Sequence, residues 1–279
     1  MKHIIKRGCF LTLMFMLLGC LSLYAADNDL ITRQITIQLE KAGTLPDRIG
    51  SSRKYTITNL KIIGEINGTD LRMIREMAGS NSTGNSTDGM LSVLDLSEAK
   101  IVEGGDCYYK DHYTSNDVIG SHAFSYCSGL TSLNLPAGIT EIQNDAFRNC
   151  SGLTSLNLPD GITEIGNNVF MSCFGLTSIY VYAEKVPLIG GNAFAGVDVK
   201  KCTVYVPMGT RDDYRLSGFG DYFENIVEFE ATGIDKTTTS TEVEEVARYS
   251  VNGQRLSAPT KGLNIVKYSD GSVKKVAVR

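Results

Sequence analysis

Two consecutive segments of the chain, IGSHAFSYCSGLTSLNLPAGITE from Ile119 and IQNDAFRNCSGLTSLNLPDGITE from Ile142, agree at most positions, and a third copy opens at Ile165. The period is 23 residues, and it recurs as Phe124/Phe147/Phe170, Cys127/Cys150/Cys173, Leu130/Leu153/Leu176 and Leu133/Leu156/Ile179. Self-similarity at a period of roughly 20–29 residues, with a Leu-x-x-Leu-x-Leu core, is the signature of coils that each form one supersecondary unit and stack on their neighbours. A single unit cannot bury its own apolar face, so the copies must cover one another. In Leu-Thr-Ser-Leu-Asn-Leu, the leucines Leu130, Leu133 and Leu135 point inward from a short strand, and Phe124 to Cys127 turns back on the opposite side.

The cysteines then form an interior column. No His or second Cys sits at ligand spacing, and one thiol per coil gives a column rather than a tetrahedron, so they read as buried fillers and not as a metal site. The fourth coil agrees: Phe194 follows Phe170 by 24 residues, and the position matching Cys173 is Val197. Upstream, Leu91, Leu94 and Leu96 repeat the strand spacing, but the residues from Glu103 to Asp117 interrupt the array as an inserted loop. Downstream, Cys202 to Pro207 supplies a last strand, and Phe219, Phe223, Ile226 and Val227 form an apolar cluster suited to closing the core.

The units AFSYCSGLTSLNLPAGITEIQNDAF and AFRNCSGLTSLNLPDGITEIGNNVF resemble the leucine-rich repeats of BspA-type bacterial surface proteins, and VYVPMGTRDDYRLSGFGDYFENIVEF is similar to a closing unit of that family. The resemblance runs from Leu91 to Phe229. It implies an α/β, strand-dominated fold: a right-handed leucine-rich repeat solenoid with an N-terminal cap and a small C-terminal β appendage. It also implies a Bacteroidetes protein of the cell surface, non-enzymatic, working in adhesion or recognition of a host or bacterial surface protein or glycan.

With 279 residues, 42% hydrophobic and 21% charged, the chain is long enough for a sizeable core and is neither disordered nor polytopic. Its formal charge is −4, and Lys2, Lys6 and Arg7 all lie in the first 25 residues, which hold no acid. The remainder is therefore more acidic still, which argues against nucleic acid as a partner.

Residues 1–25 have a basic start, an apolar stretch from Cys9 to Leu23 and small residues at Ala25 and Ala26, the layout of a secretory signal peptide. Leu17-Leu18-Gly19-Cys20 also resembles a lipoprotein box, in which Cys20 would be lipidated. Residues 26–90 read as an N-terminal cap or a small leading domain, with strands at Ile35–Leu39 and within Tyr55–Ile66 and a helix through Leu71, Ile74 and Met77 after a cap at Asp70. Residues 91–230 form the repeat array with its terminal cap, 231–246 a Thr/Glu-rich linker, and 247–279 a β tail. Asn252-Gly253 and Asp270-Gly271 are hairpin signals in that tail. YSVNGQRLSAPTKGLNIVKYSDGSVKKVAVR is similar to the sorting domains of type IX secretion, so Cys20 and the tail are two routes to association with the outer membrane.

On strands whose leucines point inward, the alternating residues face outward along the concave surface. This lines up Asp95, Asn134, Asn157, Tyr180 and Tyr205 as one ligand-binding stripe, and Ser132, Ser155 and Ser178 as a second. The inserted loop adds Tyr108, Tyr109 and Tyr113, either as ligand contacts or as packing of the loop against the stack. For catalysis the strongest combination is Asp106, Asp111, His112 and His122, a secreted hydrolase at most, since no HExxH, GxSxG or phosphate-cradling glycine loop occurs. Asp106, Asp111 and Asp117 are the nearest approach to a calcium site and lack regular oxygen spacing. No cofactor and no metal are expected. A structural surface-layer component without a specific ligand is a further reading.

Overall fold

The computed structural model describes residues 30–229, 245–250, 255–256, 258, 262–268 and 273–278. They fall into two compact units divided between Glu230 and Ala231. The leader and most of the linker lie outside the described residues, as do both predicted turns of the tail.

The first unit begins with β1 (Ile35–Leu39), the one-turn helix α1 (Leu45–Ile49), β2 (Asn59–Ile66), the helix α2 (Gly68–Met77) and β3 (Val93–Ile101). The inserted segment forms β4 (Gly104–Tyr109) and β5 (His112–Thr114). Each repeat then contributes two strands. A short one comes from β6 (Val118–Ile119), β8 (Glu141–Ile142), β10 (Glu164–Ile165) and β12 (Leu188–Ile189), and a second from β7 (Ser132–Asn134), β9 (Ser155–Leu158), β11 (Ser178–Val181) and β13 (Thr203–Pro207). The helix α3 (Arg211–Arg215) and β14 (Ile226–Phe229) close the unit.

Two parallel sheets result. One has eight strands in the order β1-β2-β3-β7-β9-β11-β13-β14, the other four in the order β12-β10-β8-β6. Register follows the period directly, with Leu133 opposite Leu156, Leu156 opposite Ile179 and Ile179 opposite Val204. Those residues are all within 1% of complete burial. The phenylalanines superpose: ring centroids of Phe124, Phe147, Phe170 and Phe194 are successively 5.3, 5.4 and 5.3 Å apart, with interplanar angles of 2°, 6° and 15°. Offset stacking of this kind adds to the area each ring removes from water.

The turn side explains residues that hydrophobic patterning leaves unaccounted for. His122, Asp145, Asn168 and Asn192 occupy one position in successive repeats, and each has a φ between 56° and 58°. Asn, Asp and His tolerate this left-handed backbone better than other side chains, and a β-branched residue would be strained there. The reversal also aims alternate amides along the stack, so that Phe124, Phe147 and Phe170 donate to Ala146, Val169 and Ala193 at 2.7–3.0 Å. On the other side, Thr154 and Thr177 donate their hydroxyls to Thr131 and Thr154 carbonyls at 3.0 and 3.1 Å, a ladder that accounts for the threonine before each strand. The repeated glycine is steric in origin: a Cβ on Gly152 or Gly175 would collide with the carbonyl of Ser128 or Ser151.

The N-terminal residues are not a detached leading domain. β1 and β2 extend the same sheet, pairing in parallel with each other and, through β2, with β3. The helix α2 is capped by Asn67, not by the expected Asp70: the Asn67 side chain accepts from Thr69 N–H at 3.1 Å, and Asp70 is the reciprocal residue of the capping box. Asp70 is fully buried and its carboxylate accepts from the amides of Gly43, Leu45 and Asn67. Its carboxylate thus pins the chain entering α1 onto α2.

The second unit is a four-stranded antiparallel sheet of β15 (Glu245–Ser250), β16 (Arg255–Leu256), β17 (Gly262–Tyr268) and β18 (Val273–Val278), ordered β16-β15-β17-β18. Among its described side chains, Arg248 and Val266 are buried.

Candidate functional site

The outward row of the eight-stranded sheet is built by register. Lys61 on β2 lies opposite Asp95 on β3, which lies opposite Asn134; Asn157, Tyr180, Tyr205 and Val227 follow on β9, β11, β13 and β14. Ser132, Ser155 and Ser178 run beside it in the same way, ending at Thr203. Apart from Asp95 and the exposed Val227, these residues are half-buried, with side chains held by their neighbours and one side left to solvent.

The row changes character along its length. At the β2 end, Lys61 pairs with Glu98 at 2.6 Å and with Asp95 at 3.3 Å. In the middle, Asn157 Nδ2 donates to Asn134 Oδ1 at 3.0 Å. At the β14 end, Tyr180 lies on Tyr205 with centroids 4.4 Å apart and planes within 8°, and Phe229 meets Tyr180 and Tyr182 edge-on at 5.9 and 5.2 Å. Burial, reinforced by the neighbouring Tyr205, pushes the Tyr180 hydroxyl above its ordinary range, so it is a neutral hydrogen-bonding group near pH 7.

Asp95 does not belong to an open stripe. It is 5% exposed, and its Oδ1 accepts from Ser97 N–H at 3.0 Å. A register irregularity between β2 and β3 at this point frees that amide, and the carboxylate satisfies it. Desolvation works against the charge, but the Ser97 hydrogen bonds and Lys61 outweigh it and hold the acid below the ordinary carboxylate range. Asp95 is thus a structural anion.

The inserted segment is a hairpin of β4 and β5, not an open loop. Tyr108 is 1% and Tyr109 5% exposed, so a ligand-binding role for these two gives way to the packing alternative; Tyr113, at 58%, remains on the surface. The Tyr108 hydroxyl donates to Ser121 carbonyl at 2.8 Å, and burial pushes it above its ordinary range. The helix α2 anchors the hairpin from the other side: Asp106 N–H donates to Thr69 Oγ1 at 2.9 Å.

The residues of the catalytic alternative are only partly assembled. His112 and His122 come together with ring centroids 5.3 Å apart, while Asp106 is engaged by Thr69 and Asp111 is exposed in the hairpin turn. Among the described residues no group of three or more His, Cys, Asp and Glu is placed to hold a metal ion. Cys127, Cys150, Cys173 and Cys202 are buried free thiols and Cys107 is a half-buried one. Burial pushes Cys127 up to about 11 and Cys173 and Cys202 up to about 12, which suits packing and not nucleophilic chemistry.

Sequence reasoning missed four contributors to the row: Lys61, Tyr182, Val227 and Phe229. Val227, expected in the apolar cluster that closes the core, is instead 42% exposed one strand beyond Tyr205, because its neighbour Ile226 takes the inward position; the in-and-out alternation of a strand was the signal that could have placed it. Lys61 had no such signal, because β2 lies outside the 23-residue period. Residues 111–213 match the family described as BspA type Leucine rich repeat region, in six copies. No curated protein matches the chain. The matched stretch lies inside the wider resemblance expected from Leu91 to Phe229, and it spans the outward row from β7 to β13.

Proposed function

We propose that the chain is an exported, non-enzymatic recognition protein of the cell surface, whose right-handed leucine-rich repeat solenoid binds a surface protein or glycan on its concave strand face. The observation that carries this reading is the register of Asn134, Asn157, Tyr180 and Tyr205, one neutral polar or aromatic side chain per strand. Side chains already held by their neighbours lose little entropy when a partner binds. Tyrosine in particular offers large contact area with few rotatable bonds. The one cation of the row, Lys61, is taken up by Asp95 and Glu98, which favours neutral ligands over polyanions.

The similarity of residues 111–213 to BspA-type repeats supports a role in binding over catalysis. The basic, apolar leader supports export, and Cys20 and the type IX-like tail supply attachment or sorting at the outer membrane. Array screening of the purified mature protein on glycans and extracellular-matrix proteins tests the reading. A specific hit that Tyr180→Ala with Tyr205→Ala abolishes, in a variant that still folds, supports it. Turnover of an array substrate that His112→Ala abolishes would replace it with the hydrolase, and ordered self-association without any hit would replace it with the surface-layer component.

A further inference from the structure

The junction of α2, the β4–β5 hairpin and the first repeat concentrates positive charge and titratable rings around Tyr109. The guanidinium of Arg75 lies 4.7 Å from the Tyr109 ring centroid and Lys110 Nζ 5.3 Å from it. His122 and His112 lie 5.0 and 6.2 Å from the same ring, and 5.3 Å from each other. Arg75 is fully buried and donates to the carbonyls of His122, Ala123 and Ser125 at 2.7–3.1 Å. The anion facing His122 is Asp145 of the next repeat, and Arg148 already holds it at 3.1 Å.

His122 Nδ1 is buried without a hydrogen-bond partner. Whichever nitrogen carries the proton in the neutral ring, the imidazolium must carry one on Nδ1, where the donor would find no acceptor.

From this geometry we infer that the hairpin is an acid-released latch: protonation of His122 drives Gly104–Thr114 off α2 and the first repeat, baring Tyr108 and Tyr109. The docked state is a neutral-imidazole state. Burial is the main cause that lowers the His122 pKa, with His112, Lys110 and Arg75 lowering it further against Asp145. A depressed imidazole stabilises the docked state above its ordinary pKa near 6.5, and that contribution is lost as the pH falls through the lower, docked value. The ring column continues beyond the first repeat through Phe147, Phe170 and Phe194, away from these imidazoles.

Hydrogen exchange of the full chain, corrected for the intrinsic pH dependence of exchange, tests the latch. The reporters are the amides of Lys110, bound to Ser82 carbonyl at 2.7 Å, and Asp106; the reference is Phe147, bound to Val169 carbonyl at 3.0 Å. Between about pH 7.5 and about pH 5.0 the reporters lose about tenfold of their protection and the reference does not. His122→Asn retains the positive φ that Asn168 and Asn192 already adopt, and it cuts the loss to less than about twofold. Should that variant lose its fold at neutral pH, Lys110→Gln, which removes one of the cations that lower the His122 pKa, reduces the loss. Reporters still protected at the lower pH, an equal loss in His122→Asn, or simultaneous loss at Phe147 would each overturn the latch.

Discussion

The thiol of Cys150 donates to the carbonyl of Phe124, in the preceding repeat, at 3.0 Å, and Cys173 does the same to Phe147 at 3.1 Å. Each thiol therefore fills space beneath one ring while tying its repeat to the one before. The fourth repeat has Val197 in this place and stacks equally well, with Phe170 and Phe194 5.3 Å apart. Cys150→Val is accordingly expected to lower stability by less than about 1.5 kcal/mol, the range for volume-conserving core swaps. Phe147→Ala, which empties the centre of the ring column, should cost about 3–5 kcal/mol. Urea unfolding of the two variants checks the difference.

Site-resolved alkylation of the native protein should label Cys107 well before Cys127, Cys150, Cys173 and Cys202. The latter four are 0–1% exposed, so they meet neither reagent nor base without local opening. Mass spectrometry of the alkylated peptides reads this directly. Labelling of Cys150 at the rate of Cys107 would show that the repeats open separately.

The column of phenylalanines and cysteines was legible because both residue types recur at one spacing and stacking demands that equal positions meet. The outward row was legible for the same reason from Asn134 to Tyr205. Asp95 and Tyr108 were not: each sits where the period breaks, Asp95 beside the irregularity in β3 and Tyr108 in the insertion. There the side chain satisfies a local backbone need that periodicity does not describe. The left-handed row, by contrast, was present in the sequence as His122, Asp145, Asn168 and Asn192, and backbone sterics explain it.

Arg75 reaches three carbonyls of the first repeat turn together with Ser80 Oγ and Asn81 carbonyl. A lysine carries the same charge on one point and cannot spread over that set. Arg75→Lys should cost at least about 2 kcal/mol, since hydrogen bonds to a charged group contribute about 1.5–3 kcal/mol each. Thermal or urea unfolding measures it. An unchanged midpoint would show that α2 is held to the repeats by its apolar face alone.

Asp95, held below the ordinary carboxylate range, contributes stability above that range which is lost as the pH falls through its folded value. Asp95→Asn should therefore be less stable than the parent near neutral pH, by about 1–3 kcal/mol for a compromised buried acceptor. The two proteins should converge in strong acid. Unfolding midpoints at neutral pH and at about pH 3 test the sign, a pH chosen below the ordinary Asp value.

Oxidative footprinting with the bound partner tests the recognition face most directly, because exposed and half-exposed reporters stand on both sides of the fold. Tyr180, Tyr205 and Val227 report on the outward row, and Tyr126 and Phe174, 41% and 65% exposed, report on the turn side. Protection of the first three on binding, with Tyr126 and Phe174 unchanged, is the predicted result; protection of Tyr126 and Phe174 with the row left reactive would contradict it.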